Sequence, residues 1–229
     1  MNVGRSTKGP KRGAGRKGEG RMKKARFAWV LAVLIFLMMM PAATADIDTG
    51  MEGLWTGTDA EGRYTLLLGS GGTFISIYRT DRTYRQAGVF TVDIDNMYLT
   101  MTDGSASTMQ YGFAEGSLFL SSDGEEVELK RADFAPPENL SGVWTVESSG
   151  GGLIAMDAAG GFASIDVETG KSEKGIYLPD QGDLIIAFQD CTSMQVGYVY
   201  DAETGVITLT NPESNQTMTL RRYAQAAGE

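Results

Sequence analysis

The sequence predicts an all-β protein: two small antiparallel eight-stranded up-and-down barrels in tandem, following an N-terminal signal or hydrophobic helix. Three observations carry this. Gly53-Leu54-Trp55-Thr56 returns as Gly142-Val143-Trp144-Thr145, 89 positions later, and the parallel continues to Leu129-Lys130-Arg131 and Leu220-Arg221-Arg222 at an offset of 91. Each copy contains eight short runs of alternating apolar and polar residues separated by Gly, Asp, Asn or Ser turns. No segment after Pro41 keeps helical periodicity over three turns.

The chain opens on a basic stretch in which ten Lys and Arg residues precede Phe27 against the single acid Glu19. Phe27 to Met40 is then an unbroken apolar run of 14 residues, followed by Pro41 and Ala43-Thr44-Ala45. A positive region, a short apolar region and a small-x-small site together describe a secretory signal peptide cleaved after Ala45. Met22-Lys23-Lys24 also begins a complete signal peptide, so Met1 and Met22 both stand as starts. The expected destination is secreted or periplasmic. Membrane contact is expected only through this segment, if it stays uncleaved.

Removal of the leader changes the charge. Ten of the 20 basic residues but only one of the 29 acidic ones precede Asp46, leaving 10 basic and 28 acidic residues and a net charge of −18. A field of that sign repels phosphate backbones and argues against nucleic-acid partners. The only cysteine, Cys191, has no partner for an internal disulfide, and histidine is absent. The usual general base and the usual zinc ligand are therefore missing. Asp93-Ile94-Asp95-Asn96 lacks the glycine and distal glutamate of an EF-hand loop and reads as a turn, and Asp180-Gln181-Gly182-Asp183 reads as an ordinary polar hairpin tip. No catalytic residue, metal or cofactor is expected.

In repeat 1 the strands are read at 53–58, 63–69, 73–79, 87–93, 97–102, 108–114, 117–121 and 126–131. In repeat 2 they are read at 142–148, 152–157, 161–167, 174–178, 184–189, 193–200, 206–210 and 216–222. Met97, Leu99 and Met101 share one face, with Tyr98, Thr100 and Thr102 on the other. Eight antiparallel strands with one apolar face close most economically into a barrel, which also removes sheet edges. Periodicity defines faces and not closure, so a single larger barrel or paired sandwiches also satisfy it. The domains are 1–45 (leader), 46–131 (repeat 1), 132–141 (a linker containing Pro136-Pro137) and 142–229 (repeat 2).

A Gly-x-Trp on the first strand and a basic residue closing the last strand of an eight-stranded meander resembles the lipocalin-like (calycin) barrels. The resemblance implies that Trp55 and Trp144 plug the closed ends. It further implies that Arg131 (or Lys130) and Arg222 (or Arg221) lie across them beside Gly53 and Gly142. Each unit is shorter than a full lipocalin and lacks its long first loop and final helix. Tyr64, Tyr78, Tyr84, Tyr98 and Tyr111 have few counterparts in repeat 2 and are expected to line a mouth for sugars or an apolar ligand, with Tyr64, Tyr78, Tyr98 and Tyr111 as the candidate ligand-binding residues. The expected function is non-catalytic binding of a small apolar or glycan-type ligand or a cell-envelope partner. The alternative is a structural or interaction protein with filled barrels.

Overall fold

The computed structural model describes residues 50–137, 139–147 and 151–223. The leader and its apolar run lie outside the described residues. The strands of the first unit are β1 (Gly53–Thr58), β2 (Arg63–Leu68), β3 (Thr73–Arg79), β4 (Thr83–Val92), β5 (Asn96–Met101), β6 (Ala106–Ala114), β7 (Ser117–Ser122) and β8 (Glu125–Ala132). Those of the second are β9 (Gly142–Val146), β10 (Gly152–Met156), β11 (Gly161–Asp166), β12 (Ser172–Asp180), β13 (Asp183–Phe188), β14 (Ser193–Asp201), β15 (Val206–Thr210) and β16 (Thr217–Arg222). Each set forms a closed barrel of neighbouring antiparallel strands. Closure is made by the pairs Trp55↔Arg131 and Trp144↔Arg222.

Alternation decides what fills each barrel. Trp55, Leu66, Leu68, Phe74, Phe90, Met97, Leu99, Leu118, Leu120 and Leu129 form the interior of barrel 1. Trp144, Ile154, Met156, Phe162, Tyr177, Leu184, Ile186, Phe188, Val196, Ile207, Leu209 and Leu220 form that of barrel 2.

The outward faces of β2–β4 and β12–β13 are apolar too, and they bury one another. Leu67, Ile75, Ile77 and Ala87 of barrel 1 pack with Ile176, Leu178, Ile185 and Ala187 of barrel 2 in one cluster. The Gly69 turn fits this face because it has no side chain: a Cβ there would lie 2.4 Å from Ile176 Cγ2. Asp180, only 4% exposed at its side chain, receives Arg85 Nε at 2.9 Å and the guanidinium of Arg79, both from barrel 1. The turn read as an ordinary polar tip is therefore an ion-paired contact between the barrels.

Two strand boundaries also differ from the sequence reading. β4 begins at Thr83 rather than at 87, and β12 spans Ser172–Asp180 rather than 174–178. Thr83-Tyr84-Arg85-Gln86 is polar, yet it pairs with β3 as the second arm of a hairpin whose outer face meets the other barrel. The segment read as a linker is also part of the packing. Phe134 meets Tyr177 edge-on at 5.6 Å, and Leu140 is fully buried in barrel 2.

Candidate functional site

The two closed ends are built alike. Trp55 Nε1 donates to the carbonyl of Met51 at 2.6 Å, and Trp144 Nε1 donates to that of Leu140 at 3.0 Å. The Arg131 guanidinium lies 5.5 Å from the Trp55 ring and donates to the carbonyl of Glu52. That of Arg222 lies 5.0 Å from Trp144 and donates to the carbonyl of Ser141 at 3.1 Å. Each indole thus fills the barrel floor and ties down the chain four residues earlier, while the cation covers its face. Gly53 and Gly142 adopt φ of 120° and 135°, and a Cβ on Gly53 would lie 3.1 Å from Arg131 Nη2. A side chain at Gly53 is opposed by backbone and arginine alike.

The open ends differ. Barrel 2 has an apolar cavity of about 460 Å³ at its open end, lined by Ile154, Phe162, Ile186, Phe188, Leu209 and Leu220 among others. Met194 and Met218, each about two-fifths exposed, stand on its rim. Asp166 and Glu173 reach the same rim. The Asp166 carboxylate accepts the backbone N–H groups of Glu168 and Thr169, and the hydrogen bond from Thr169 leads in holding it below the usual carboxylate range. Glu173 is paired with Lys171 at 2.6 Å.

In barrel 1 the corresponding rim is aromatic. Tyr64 and Tyr78 stack with centroids 4.2 Å apart and planes 20° apart, and Tyr84 continues the row 6.4 Å from Tyr78. Their register explains the row, since Tyr64 pairs with Tyr78 and Tyr78 with Tyr84, all on the inner face. The hydroxyls of Tyr64 and Tyr78 bond Asp59, and the Tyr64 bond is the leading cause of that carboxyl's lowered pKa. Burial, then the bond to Asp59, raises the pKa of Tyr64.

The other two candidate tyrosines lie at the opposite end and do not join this row. Tyr98 points outward and donates to Asp93 at 2.6 Å, while Tyr111 donates to the Asp93 carbonyl at 2.8 Å. The bond from Tyr98 leads in holding Asp93 down at about 2. These two phenols brace a turn. Tyr84, one of the five repeat-1 tyrosines noted in the sequence, joins the row of Tyr64 and Tyr78 although its stretch was not read as strand. The barrel 2 cavity had no polar marker that would have singled it out. Among the described residues, no group of three or more acidic or cysteine side chains is placed to hold a metal ion.

No protein-family model matches the chain, and no curated protein matches it. Among solved structures, the Cpx pathway activator NlpE from Escherichia coli is similar at 15% identity, over 76% of this chain and 93% of its own, with a TM-score of 0.28. The DNA polymerase III beta subunit from Thermotoga maritima follows at 12% identity, over 82% of this chain and 60% of its own, with a TM-score of 0.16. The sliding clamp from Pseudomonas aeruginosa stands at 10% identity, over 78% and 58%, with a TM-score of 0.15. At these values none of the three bears on what this chain does.

Proposed function

We propose that this chain is an exported, non-catalytic binding protein with lipocalin-like barrels, and that barrel 2 holds a small apolar ligand in its open end. The supporting observation is the cavity itself. Its volume falls in the range of roughly 300–1,000 Å³ typical of small-molecule sites, and its walls are mostly aliphatic and aromatic, with Ser164 among them. A ligand seated there covers apolar surface at roughly 25 cal/mol per Å² removed from water. Both rim carboxylates are engaged, Asp166 by the backbone of its own turn and Glu173 by Lys171.

The alternative, an envelope interaction protein with filled barrels and no small ligand, draws its support from barrel 1. Its interior side chains Phe74, Met97, Leu118 and Leu129 pack with Leu66, Leu68, Phe90 and Leu99 in one buried cluster. The two readings separate on one experiment. The exported chain is titrated with the apolar dye 1-N-phenylnaphthylamine while dye fluorescence is followed. Saturable enhancement at one site per chain, abolished by Ser164→Phe on the cavity wall, supports a ligand-holding barrel 2. No enhancement, or enhancement that Ser164→Phe leaves unchanged, removes it.

A further inference from the structure

The repeat supplies an internal control for the tyrosine row. Trp55↔Leu66 corresponds to Trp144↔Ile154, so Tyr64 corresponds to Gly152. Phe74↔Gly88 corresponds to Phe162↔Gly175, so Tyr78 and Tyr84 correspond to Asp166 and Lys171. Barrel 2 closes with none of the three aromatics. The row is therefore not a requirement of closure.

Its position exposes it to solvent on one side. Pairing of β4 with β5 begins only at Gly88↔Met101, so Thr83–Gln86 overhang the mouth, held from behind by Arg85 on Asp180. Tyr84 is 52% exposed. Its inner face continues along β4 to the exposed amide of Gln86, and across the mouth the inward register brings in Ser122 and Glu125. Asp59 lies behind the phenols.

We infer that the overhanging inner face of β2–β4, with Tyr84 outermost, is a binding platform for a neutral saccharide chain. The C–H face of a sugar ring is apolar and carries partial positive charge, which suits the negative face of a phenol ring. Tyrosine offers that area with little conformational freedom to lose, and the stack of three rings is already ordered. The hydroxyl, amide and carboxylate groups around the rings match the hydroxyls on a sugar's edge. An alkyl chain would cover Gln86, Ser122 and Glu125 without giving them partners. Phosphorylated or anionic ligands meet the strongly negative field of the exported chain. This site is separate from the barrel 2 cavity, and it stands or falls without it.

The test titrates the exported chain with the hexasaccharides of glucose and of N-acetylglucosamine, to about 10 mM, in the millimolar range expected of a shallow platform. Tyrosine ring NMR signals are followed throughout. The expected result is saturable shifts at Tyr78 and Tyr84 with one of the sugars and none at Tyr98. Tyr84→Ala weakens binding about tenfold or more, while Tyr84→Phe, which keeps the ring, stays within about twofold. The melting temperature of both variants matches the parent, because the ring is half exposed. Absence of ring shifts with both sugars overturns the proposal, as does binding that survives Tyr84→Ala unchanged.

Discussion

The two barrels share one floor and differ at the rim. At the floor, each has a tryptophan bonded to the carbonyl four residues earlier, an arginine over its ring and a glycine at positive φ. At the rim, Tyr64, Tyr78 and Tyr84 stand where barrel 2 has Gly152, Asp166 and Lys171. Below that rim barrel 1 holds one buried apolar cluster, and barrel 2 opens into its cavity. The difference teaches where the architecture is constrained. Closing eight short strands needs a sealed end to set the register, and the opposite end is free to acquire a task.

The turns show the same divergence. Asp93 and Asp180 are equivalent residues 87 positions apart. Asp93 caps its own exposed turn, accepting from the backbone of Asp95 and Asn96 and from Tyr98. Asp180 is buried and binds two arginines of the other barrel. One position thus serves local geometry in one copy and joins the barrels in the other.

The largest test of the comparison lies at the shared floor. Trp55→Ala and Trp144→Ala are each expected to cost about 3–5 kcal/mol in urea unfolding. A cost below about 1 kcal/mol at both sites would mean that something other than the indoles seals the ends.

Asp180→Ala takes the shared carboxylate from Arg79 and Arg85, leaving Arg85 only its 3.5 Å contact with Asp183, at an expected cost of about 3 kcal/mol. Calorimetry should then resolve two melting transitions, one for each uncoupled barrel. The equivalent Asp93→Ala, at an exposed turn, should leave a single transition. A split in both variants, or in neither, would break the contrast between the turns.

Filling the interiors sharpens the contrast between packed and open. Leu99 and Ile186 are equivalent inward positions. Leu99→Phe overpacks barrel 1 and should cost about 1–3 kcal/mol, while Ile186→Phe grows into the cavity and should cost less than about 1 kcal/mol. Equal costs would contradict a difference in packing.

The smallest effect concerns acid. Asp93 is held at about 2, chiefly by the Tyr98 hydroxyl. A depressed carboxylate contributes stability above its unfolded pKa, and that contribution is lost as the pH falls toward 2. In Tyr98→Phe the Asp93 titration, followed by carboxyl NMR, should move up toward the ordinary carboxylate range, with a smaller loss of stability in acid.

Much of this arrangement was legible in the sequence. Met97-Tyr98-Leu99 and Val127-Glu128-Leu129 alternate cleanly, and strands in the structure run through both. Gly53, Trp55 and Arg131 meet at one end because first and last strands of a closed meander must be neighbours. The interface between the barrels was harder to read. Leu66-Leu67-Leu68 and Leu184-Ile185-Ile186 are continuous apolar runs, the pattern of strands buried on both faces, but a run alone does not say what covers the second face. The strand that carries Tyr84 was hidden for the opposite reason: Thr83-Tyr84-Arg85-Gln86 shows no apolar alternation. That stretch owes its pairing to the hairpin with β3 inside barrel 1, and the Arg85–Asp180 contact ties it to barrel 2.

The most direct test of a packed barrel beside an open one is methyl NMR on the exported chain titrated with 1-decanol. Saturable shifts are expected at Ile154, Ile186, Leu209 and Leu220, with Leu66, Leu68, Leu118 and Leu129 unmoved. Shifts in the barrel 1 set, or in neither set, would contradict that contrast.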